Sequence, residues 1–132
     1  MDRDLEKQYS EQWEESSEFF YKNKDYSWMC KQLEKYDVVL EIGCGTGYST
    51  LALVEDGHKV VVIENNDFCL EKTKQLLKMN GYKYGQIDDD FSNTDVILLK
   101  EDICQKGLDE RLLKFKIKVL ACWNVGSYWS QD

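Results

Sequence analysis

Proline is absent from this 132-residue chain, histidine occurs once, and none of the five cysteines forms a CxxC pair. No Cys/His set has the spacing of a zinc site, and we expect reduced thiols, as in an intracellular protein. The 25 acidic residues outnumber the 17 basic ones, and the net charge of -8 disfavours a nucleic-acid-binding surface. No apolar run reaches the roughly 20 residues of a membrane helix, and MDRDLEKQYSEQWEE is unlike a signal peptide. The composition predicts a soluble, cytoplasmic protein that contacts no membrane and holds no metal.

Apolar periodicity predicts a single domain in which helices precede an alternation of strands and helices. Residues 4–35 are predicted to form two helices, separated by the polar break KNKD at 22–25. Short apolar runs predict four buried strands, at residues 38–42, 60–63, 96–99 and 117–122. Further helices are expected at 49–55 and 67–81, with Asp67 as the N-cap of the second, and a polar connection at 82–95. Such an alternation forms a parallel sheet covered by helices on both faces, so the fold class is α/β.

Three glycines follow the first predicted strand at alternate positions, in the segment EIGCGTG. Gly43, Gly45 and Gly47 lack a Cβ atom, so the loop can turn tightly and a ligand can lie almost on its main chain. In a parallel sheet this loop falls at the carboxyl ends of the strands, where ligands bind. Glu64 ends the second predicted strand, and its carboxylate can accept both hydroxyls of a ribose. The pattern predicts a nucleotide-like ligand.

The spacing of the glycines separates two classes of ligand. A dinucleotide cofactor favours GxGxxG, and this pattern fails because Tyr48 stands at the last position. Glu41 stands shortly before the first glycine, and an acid there would repel a pyrophosphate but attract an ammonium or sulfonium group. The loop therefore favours a nucleoside that carries an amino acid over a dinucleotide.

The segments VVLEIGCGTGYSTLAL and GHKVVVIENND resemble the first two motifs of the class I, Rossmann-like S-adenosylmethionine-dependent methyltransferases. The resemblance implies methyltransferase activity, with S-adenosylmethionine as the cofactor. It also implies one domain over residues 1–132, with 1–35 as a helical lid and 36–132 as the α/β core. Family members carry further strands after the fourth, so the resemblance implies a core that is incomplete on its C-terminal side.

By the same resemblance, the glycine loop and the residues at the strand ends would contact different parts of the cofactor. The residues that would line its methionine end are Glu41, Gly43, Cys44, Gly45 and Gly47. Glu64 would hold the ribose hydroxyls, and Asn65 would lie beside the adenine. Two plainer interpretations remain open: the glycines form only a tight turn, or Glu64 is a solvated strand end.

The later positions match the family only by their place after a strand. Asp102 and Ile103, in LLKEDIC, would reach the adenine edge, although Asp102 could be a surface or capping residue. Asn124, with Trp123, would lie next to the transferable methyl group, or it could shape a turn with Gly126. The aromatic residues of the N-terminal helices are candidates either for lid contacts or for core packing, among them Tyr9, Trp13, Phe19 and Phe20.

The methyl acceptor and the catalytic residues cannot be read from the sequence. Methyl transfer from a sulfonium needs alignment, and it needs a base only when the acceptor carries a proton of high pKa. The Asn/Asp-Pro-Pro-Tyr/Phe set of adenine and glutamine methyltransferases is missing; WNVGSYW stands in its place. Its aromatic residues would form an apolar wall, which hints at a small molecule or a peptide side chain. His58, in EDGHKV, is expected to be a turn residue and a poor base.

Three arrangements would account for an incomplete core. The chain is a fragment of a longer enzyme, or a dimer mate or partner chain covers the bare edge of the fourth strand, or the chain is a naturally short cofactor-binding module. The last would make it a non-catalytic S-adenosylmethionine-binding protein that associates with a partner through its open sheet edge. A dinucleotide-dependent oxidoreductase is the remaining alternative.

Overall fold

The computed structural model describes residues 2–122. Two helices come first, α1 (Arg3–Lys22) and α2 (Asp25–Gln32). The strands that follow are β1 (Val38–Ile42), β2 (Lys59–Glu64), β3 (Tyr84–Gly85), β4 (Val96–Lys100) and β5 (Leu120–Cys122). The helices between them are α3 (Tyr48–Glu55), α4 (Asp67–Met79) and α5 (Leu108–Leu112), and a 3₁₀ turn covers Leu113–Phe115. The predicted alternation of strands and helices is confirmed.

The five strands form one parallel sheet, in the order β3-β4-β2-β1-β5. The chain moves outward from β1 to β2 and then to β3 at the edge, places β4 between β2 and β3, and returns to place β5 on the other side of β1. Strand order therefore reverses at β1, and the loop after β1 lies at the switch point where α/β folds bind ligands. The predicted α/β fold is confirmed, and β3 is an additional short strand inside the polar connection predicted at 82–95.

The centre of the sheet is buried on both faces because its strands are continuous apolar runs. Val60 and Val62 of β2 share one apolar cluster with residues of α2, α3 and α4. Val61 and Ile63 share a second cluster with residues of α5 and the 3₁₀ turn. Full burial of such a side chain stabilises the fold by about 1.5–3 kcal/mol. Burial on both faces thus fixes β1 and β2 in place, and with them the loops at their carboxyl ends.

The helix α1 packs across α2, α3 and α4. Its fully buried residues are two serines, Ser10 and Ser17, whereas the short α2 buries Tyr26, Met29 and Cys30. The chain turns between the two helices at the predicted break. No helix in residues 2–122 is long and apolar enough to cross a membrane.

Helix α4 begins with a side-chain cap from Asn66. Its Oδ1 accepts hydrogen bonds from the backbone N–H groups of Phe68, at 2.9 Å, and Cys69, at 3.1 Å. The prediction of Asp67 as the N-cap is wrong by one residue. Asp67 is the first helical residue, and its carboxylate pairs with Lys100 Nζ at 2.9 Å. An acid in the first helical turn is stabilising beside the positive end of the helix dipole.

Strand β5 is the outermost strand on its side of the sheet within residues 2–122. It pairs with β1 through Leu120, Ala121 and Cys122, and Leu120 is 51% exposed. The described part of the sheet thus has the apolar edge that the sequence predicts. Coverage of this edge by a partner remains a prediction.

Candidate cofactor site

Glu64 ties the end of β2 to the loop after β1. Its Oε1 accepts a hydrogen bond from Gly45 N at 3.2 Å. Its Oε2 accepts bonds from Asn65 N at 3.0 Å and Asn66 N at 3.2 Å. Burial raises the pKa of Glu64, and the three N–H donors act against that rise. A carboxylate offers about four acceptor positions; the three N–H groups take three of them, and the Cys44 thiol, with Sγ 4.0 Å from Oε1, is a weak donor to the fourth that a ligand hydroxyl would displace.

Glu41 is fully buried at the carboxyl half of β1. Its carboxylate accepts hydrogen bonds from the hydroxyl of Ser49, at 2.6 Å, and from the hydroxyl of Thr50, both in the first turn of α3. Burial raises the pKa of Glu41 to about 7, against the lowering effect of the two hydroxyls. Glu41 thus fixes the start of α3 to β1, with the glycine loop between them. Its predicted place at the methionine end of the cofactor remains a prediction.

The glycines of the loop satisfy two different structural needs. All three have positive φ angles, 77° at Gly43, 56° at Gly45 and 99° at Gly47, a region that side chains of L-residues rarely adopt. Gly47 also allows α3 to approach α4, because a Cβ atom there would lie 2.8 Å from the Cα of Thr73. The glycine pattern therefore has a packing cause in addition to any ligand that it holds.

The indole of Trp13 lies directly on Gly45. A Cβ atom at Gly45 would stand 2.1 Å from Trp13 Nε1, so only glycine fits beneath the ring. This contact joins α1 to the loop across a long stretch of sequence. The sequence left two interpretations open for Trp13, a lid contact or core packing. The structure places its indole against the glycine loop.

Cys44 and Thr73 form the underside of the loop. Cys44 Sγ lies 3.3 Å from Thr73 Oγ1, and the single proton of that hydroxyl is within reach of two carbonyl oxygens, Cys69 O at 2.8 Å and Gly45 O at 3.3 Å. Burial, together with the nearby carboxylates, raises the pKa of the Cys44 thiol well above its usual value. A neutral, buried thiol is a poor nucleophile, so Cys44 packs here rather than reacts. Nothing in the sequence indicated that Thr73, a residue of α4, would contact the loop.

The predicted adenine residues follow neighbouring strands. Glu64 and Lys100 are partners in the parallel β2–β4 register, so Asn65 and Asp102 leave the same edge of the sheet. Asn65 is exposed, and Ile103 is exposed beside Asp102. Asp102 Oδ1 accepts a bond from Cys104 N at 2.8 Å, the local turn that its capping interpretation expects. An adenine contact by these residues remains a prediction.

Several other groups lie away from this loop. His58 is buried at the amino end of β2, the end opposite the glycine loop, and its Nδ1 lies 2.6 Å from Tyr36 O. A cavity of about 530 Å³ opens at the outer edge of β4, lined by residues that include Tyr84, Lys74 and Arg111. It shares no residue with the predicted cofactor set. Trp123 and Asn124 lie outside the described residues.

The sequence matches the family model of protein-L-isoaspartate(D-aspartate) O-methyltransferase (PCMT) over residues 13–110. The chain belongs to the PCMT family. This stretch includes the glycine loop, Glu64, Asp102 and Ile103. Membership confirms the resemblance to class I S-adenosylmethionine-dependent methyltransferases, and the cofactor that this family implies is S-adenosylmethionine.

Two curated relatives of the PCMT family share shorter stretches with the chain. The protein-L-isoaspartate O-methyltransferase of Petrotoga mobilis is 42% identical over 52 residues, which are 39% of this chain and 24% of the relative. The enzyme of the same name from Cytophaga hutchinsonii is 47% identical over 45 residues, 34% of this chain and 20% of the relative. The matched stretches thus span about a quarter and a fifth of these relatives.

The fold has a counterpart among solved structures. The crystal structure of the SAM-dependent methyltransferase from Agrobacterium tumefaciens superposes with a TM-score of 0.53 at 14% identity, covering 77% of this chain and 31% of that one. At this level of identity the likeness shows the fold alone.

Proposed function

We propose that the chain binds S-adenosylmethionine across the carboxyl ends of β1 and β2, and that it serves the transfer of the methyl group to an isoaspartyl carboxylate of a protein. The observation that carries the proposal is the PCMT family match, which spans residues 13–110 and so includes both loops. The two relatives are both protein-L-isoaspartate O-methyltransferases, which supports the isoaspartyl acceptor. The hint of a small-molecule acceptor has no such support, whereas a peptide side chain fits.

The charge of the loop suits this cofactor. Glu41 and Glu64 flank the glycines on β1 and β2, in a chain of net charge -8. A carboxylate near a site favours a positive ligand and disfavours a pyrophosphate in proportion to its ionised fraction, and Glu41 is mostly ionised only above about pH 7. S-adenosylmethionine, when bound, supplies a sulfonium whose methyl group is electrophilic. The proposed roles are that Glu64 accepts a ribose hydroxyl at its remaining acceptor position and that Asn65 lies beside the adenine.

A carboxylate acceptor also suits the groups that the described residues provide. At neutral pH a carboxylate has no proton to lose, so its oxygen can attack the methyl group without a general base. His58 is held against Tyr36 at the opposite end of β2 from the glycine loop, where it cannot act as a base on the acceptor. The protein then needs to align the acceptor oxygen behind the methyl group. Asn124 remains our candidate for that end of the site.

Calorimetric titration tests the cofactor half of the proposal. We expect S-adenosylmethionine and S-adenosylhomocysteine to bind at one site per chain and NAD to leave the heat signal flat. Binding of NAD alone would identify a dinucleotide protein and overturn the proposal.

A transfer assay tests the acceptor half. The chain is incubated with methyl-labelled S-adenosylmethionine and two peptides of one sequence, one with aspartate and the other with isoaspartate at a single position. We expect label in the isoaspartyl peptide and none in its aspartyl control. Label in both peptides would remove the isoaspartyl assignment. Cofactor binding without transfer would favour the non-catalytic binding module.

A further inference from the structure

Gly45 is engaged by the protein on three sides. Its N–H donates to Glu64 Oε1 at 3.2 Å, and its carbonyl oxygen lies 3.3 Å from the hydroxyl oxygen of Thr73. The Cα side faces the indole of Trp13, at the close approach described above. Gly45 itself is buried. A ligand that lies on the main chain at Gly45 would therefore occupy the volume of the indole.

The helix that carries Trp13 is held to the body of the protein by several polar contacts. Near its C-terminal end, the hydroxyl of Tyr21 donates to the carboxylate of Glu55, and Tyr48 Oη donates to Glu18 Oε2 at 3.4 Å. Asn66 Nδ2 donates to Glu6 O at 3.1 Å, and Lys72 Nζ pairs with Glu14 Oε1 at 3.0 Å. Both partners of that ion pair are partly exposed, and such pairs contribute about 0–1 kcal/mol.

The fully buried residues of α1 are serines, and its contribution to the main apolar cluster is the packing of the partly buried Phe20 and Tyr21, close to the C-terminal end of the helix. An element that adds no fully buried apolar side chain to the core can open locally at less than the global unfolding free energy.

A pivot for such an opening lies between α1 and α2. Lys24 has a φ of 70°, a left-handed conformation that costs a lysine roughly 1–2 kcal/mol. Lys24 is the N-cap residue of α2, and its side chain makes no capping hydrogen bond to that helix. The helix α2 itself is anchored in the core by Tyr26 and Met29. A change in the backbone at Lys24 would swing α1 while α2 stays in place.

We propose that α1 is a self-occluding gate: Trp13 competes with the cofactor for the surface of Gly45, and the cofactor reaches the loop when α1 swings about Lys24. The inference rests on the proposed function, because it assumes that the ligand lies on the glycine loop. When only a minor fraction of a protein is in the binding-competent form, its apparent Kd equals the intrinsic Kd divided by that fraction, so the ligand binds more weakly. Removal of the indole should therefore strengthen cofactor binding.

The first test compares Trp13→Ala with the unmodified chain and with Phe19→Ala in titrations with S-adenosylhomocysteine. Phe19 is on the same helix but 62% exposed, so it is a matched control for the loss of an aromatic side chain. We expect Trp13→Ala to bind roughly 3- to 10-fold more tightly and Phe19→Ala to bind like the unmodified chain. Equal or weaker binding by Trp13→Ala would overturn the gate, and weaker binding would make Trp13 a wall of the ligand site. If none of the three binds, the proposed function fails as well.

A second test needs no substitution. Hydrogen exchange of the unmodified chain is followed with and without saturating S-adenosylhomocysteine. We expect the amides of α1, residues 3–22, to exchange faster in the complex while those of β1 and β2 slow. Slower exchange in α1 would show a lid that closes on the ligand and would overturn the gate. Protection confined to β1 and β2, with α1 unchanged, would also count against it.

Discussion

The carboxylate of Glu41 accepts a hydrogen bond from the hydroxyl of Ser49 at 2.6 Å, in the interior of the protein. Burial is the main cause that raises the pKa of Glu41 to about 7, from an ordinary value of 4.5. Folding therefore favours the protonated carboxyl group. A group that joins the end of β1 to the start of α3 thus changes its charge close to neutral pH.

The first prediction concerns the stability of the chain against pH. Between about pH 4.5 and about pH 7, the folded chain holds a proton on Glu41 that the unfolded chain has released. The contribution of this proton is complete below that window, falls as the pH rises through it, and is lost above it. Relative to Glu41→Gln, the unmodified chain should lose about 3 kcal/mol of unfolding free energy across the window. Urea unfolding of both chains from about pH 5 to about pH 8 measures the difference, and parallel curves would refute it.

The second prediction concerns Glu64. Glu64→Ala would leave the N–H groups of Gly45, Asn65 and Asn66 without their acceptor, at about 1–3 kcal/mol for each group that stays buried. We expect lower stability and a loss of a few kcal/mol in S-adenosylhomocysteine affinity, measured by calorimetry at a temperature where the variant is folded. Glu71→Ala, at an exposed position of α4, is the control. Unchanged affinity in Glu64→Ala would mean that the ribose assignment is wrong.

The third prediction separates the two needs for glycine in the loop. Gly47 and Gly57 have nearly equal φ angles, 99° and 97°, but a Cβ atom at Gly57 would meet nothing within 4 Å. Gly57→Ala should cost roughly 1–2 kcal/mol for the left-handed backbone alone. Gly47→Ala should cost about 1–3 kcal/mol more, because its methyl group would press on Thr73. Thermal unfolding compares them, and equal losses would contradict the packing role of Gly47.

The fourth prediction separates the cap of α4 from its link to α1. Asn66→Asp keeps an oxygen that caps Phe68 and Cys69 but loses the N–H group that donates to Glu6. Aspartate and asparagine cap about equally well, so this variant should keep most of the stability. Asn66→Ala should lose about 1 kcal/mol or more. Both variants should show faster hydrogen exchange in α1; an effect in Asn66→Ala alone would show that the cap, and not the link, holds α1.

The sequence predicted the centre of the fold well because local apolar runs decide it. Val38–Ile42 and the valines of β2 are buried on both faces, and each is long enough to be recognised as a strand. Strand β3 was missed because Tyr84 and Gly85 are too short a pair to show any periodicity, and they join the sheet by backbone pairing with β4. The cap of α4 was misplaced because Asn66 and Asp67 are both good capping residues and adjacent.

In the candidate site, too, some residues could be identified from the sequence and some contacts could not. The glycines, Glu41 and Glu64 stand out because each is unusual where it occurs in the sequence. The contacts of Trp13 with Gly45, and of Thr73 with the loop, join segments that are distant along the chain. No local pattern encodes such a contact, since it depends on how α1 and α4 pack on the finished sheet.

In the described part of the chain, the shortness of β3 leaves part of β4 without a neighbouring strand at its outer edge. β3 pairs only with Val96 and Ile97, and no other strand within residues 2–122 lies beside Leu98–Lys100 on that side. An unpaired strand edge is a template for aggregation, and a lysine on it is a common protection. Lys100 is the last residue of β4, and its ammonium group pairs with Asp67 at the start of α4. The lysine would thereby hinder a second molecule from extending the sheet at β4.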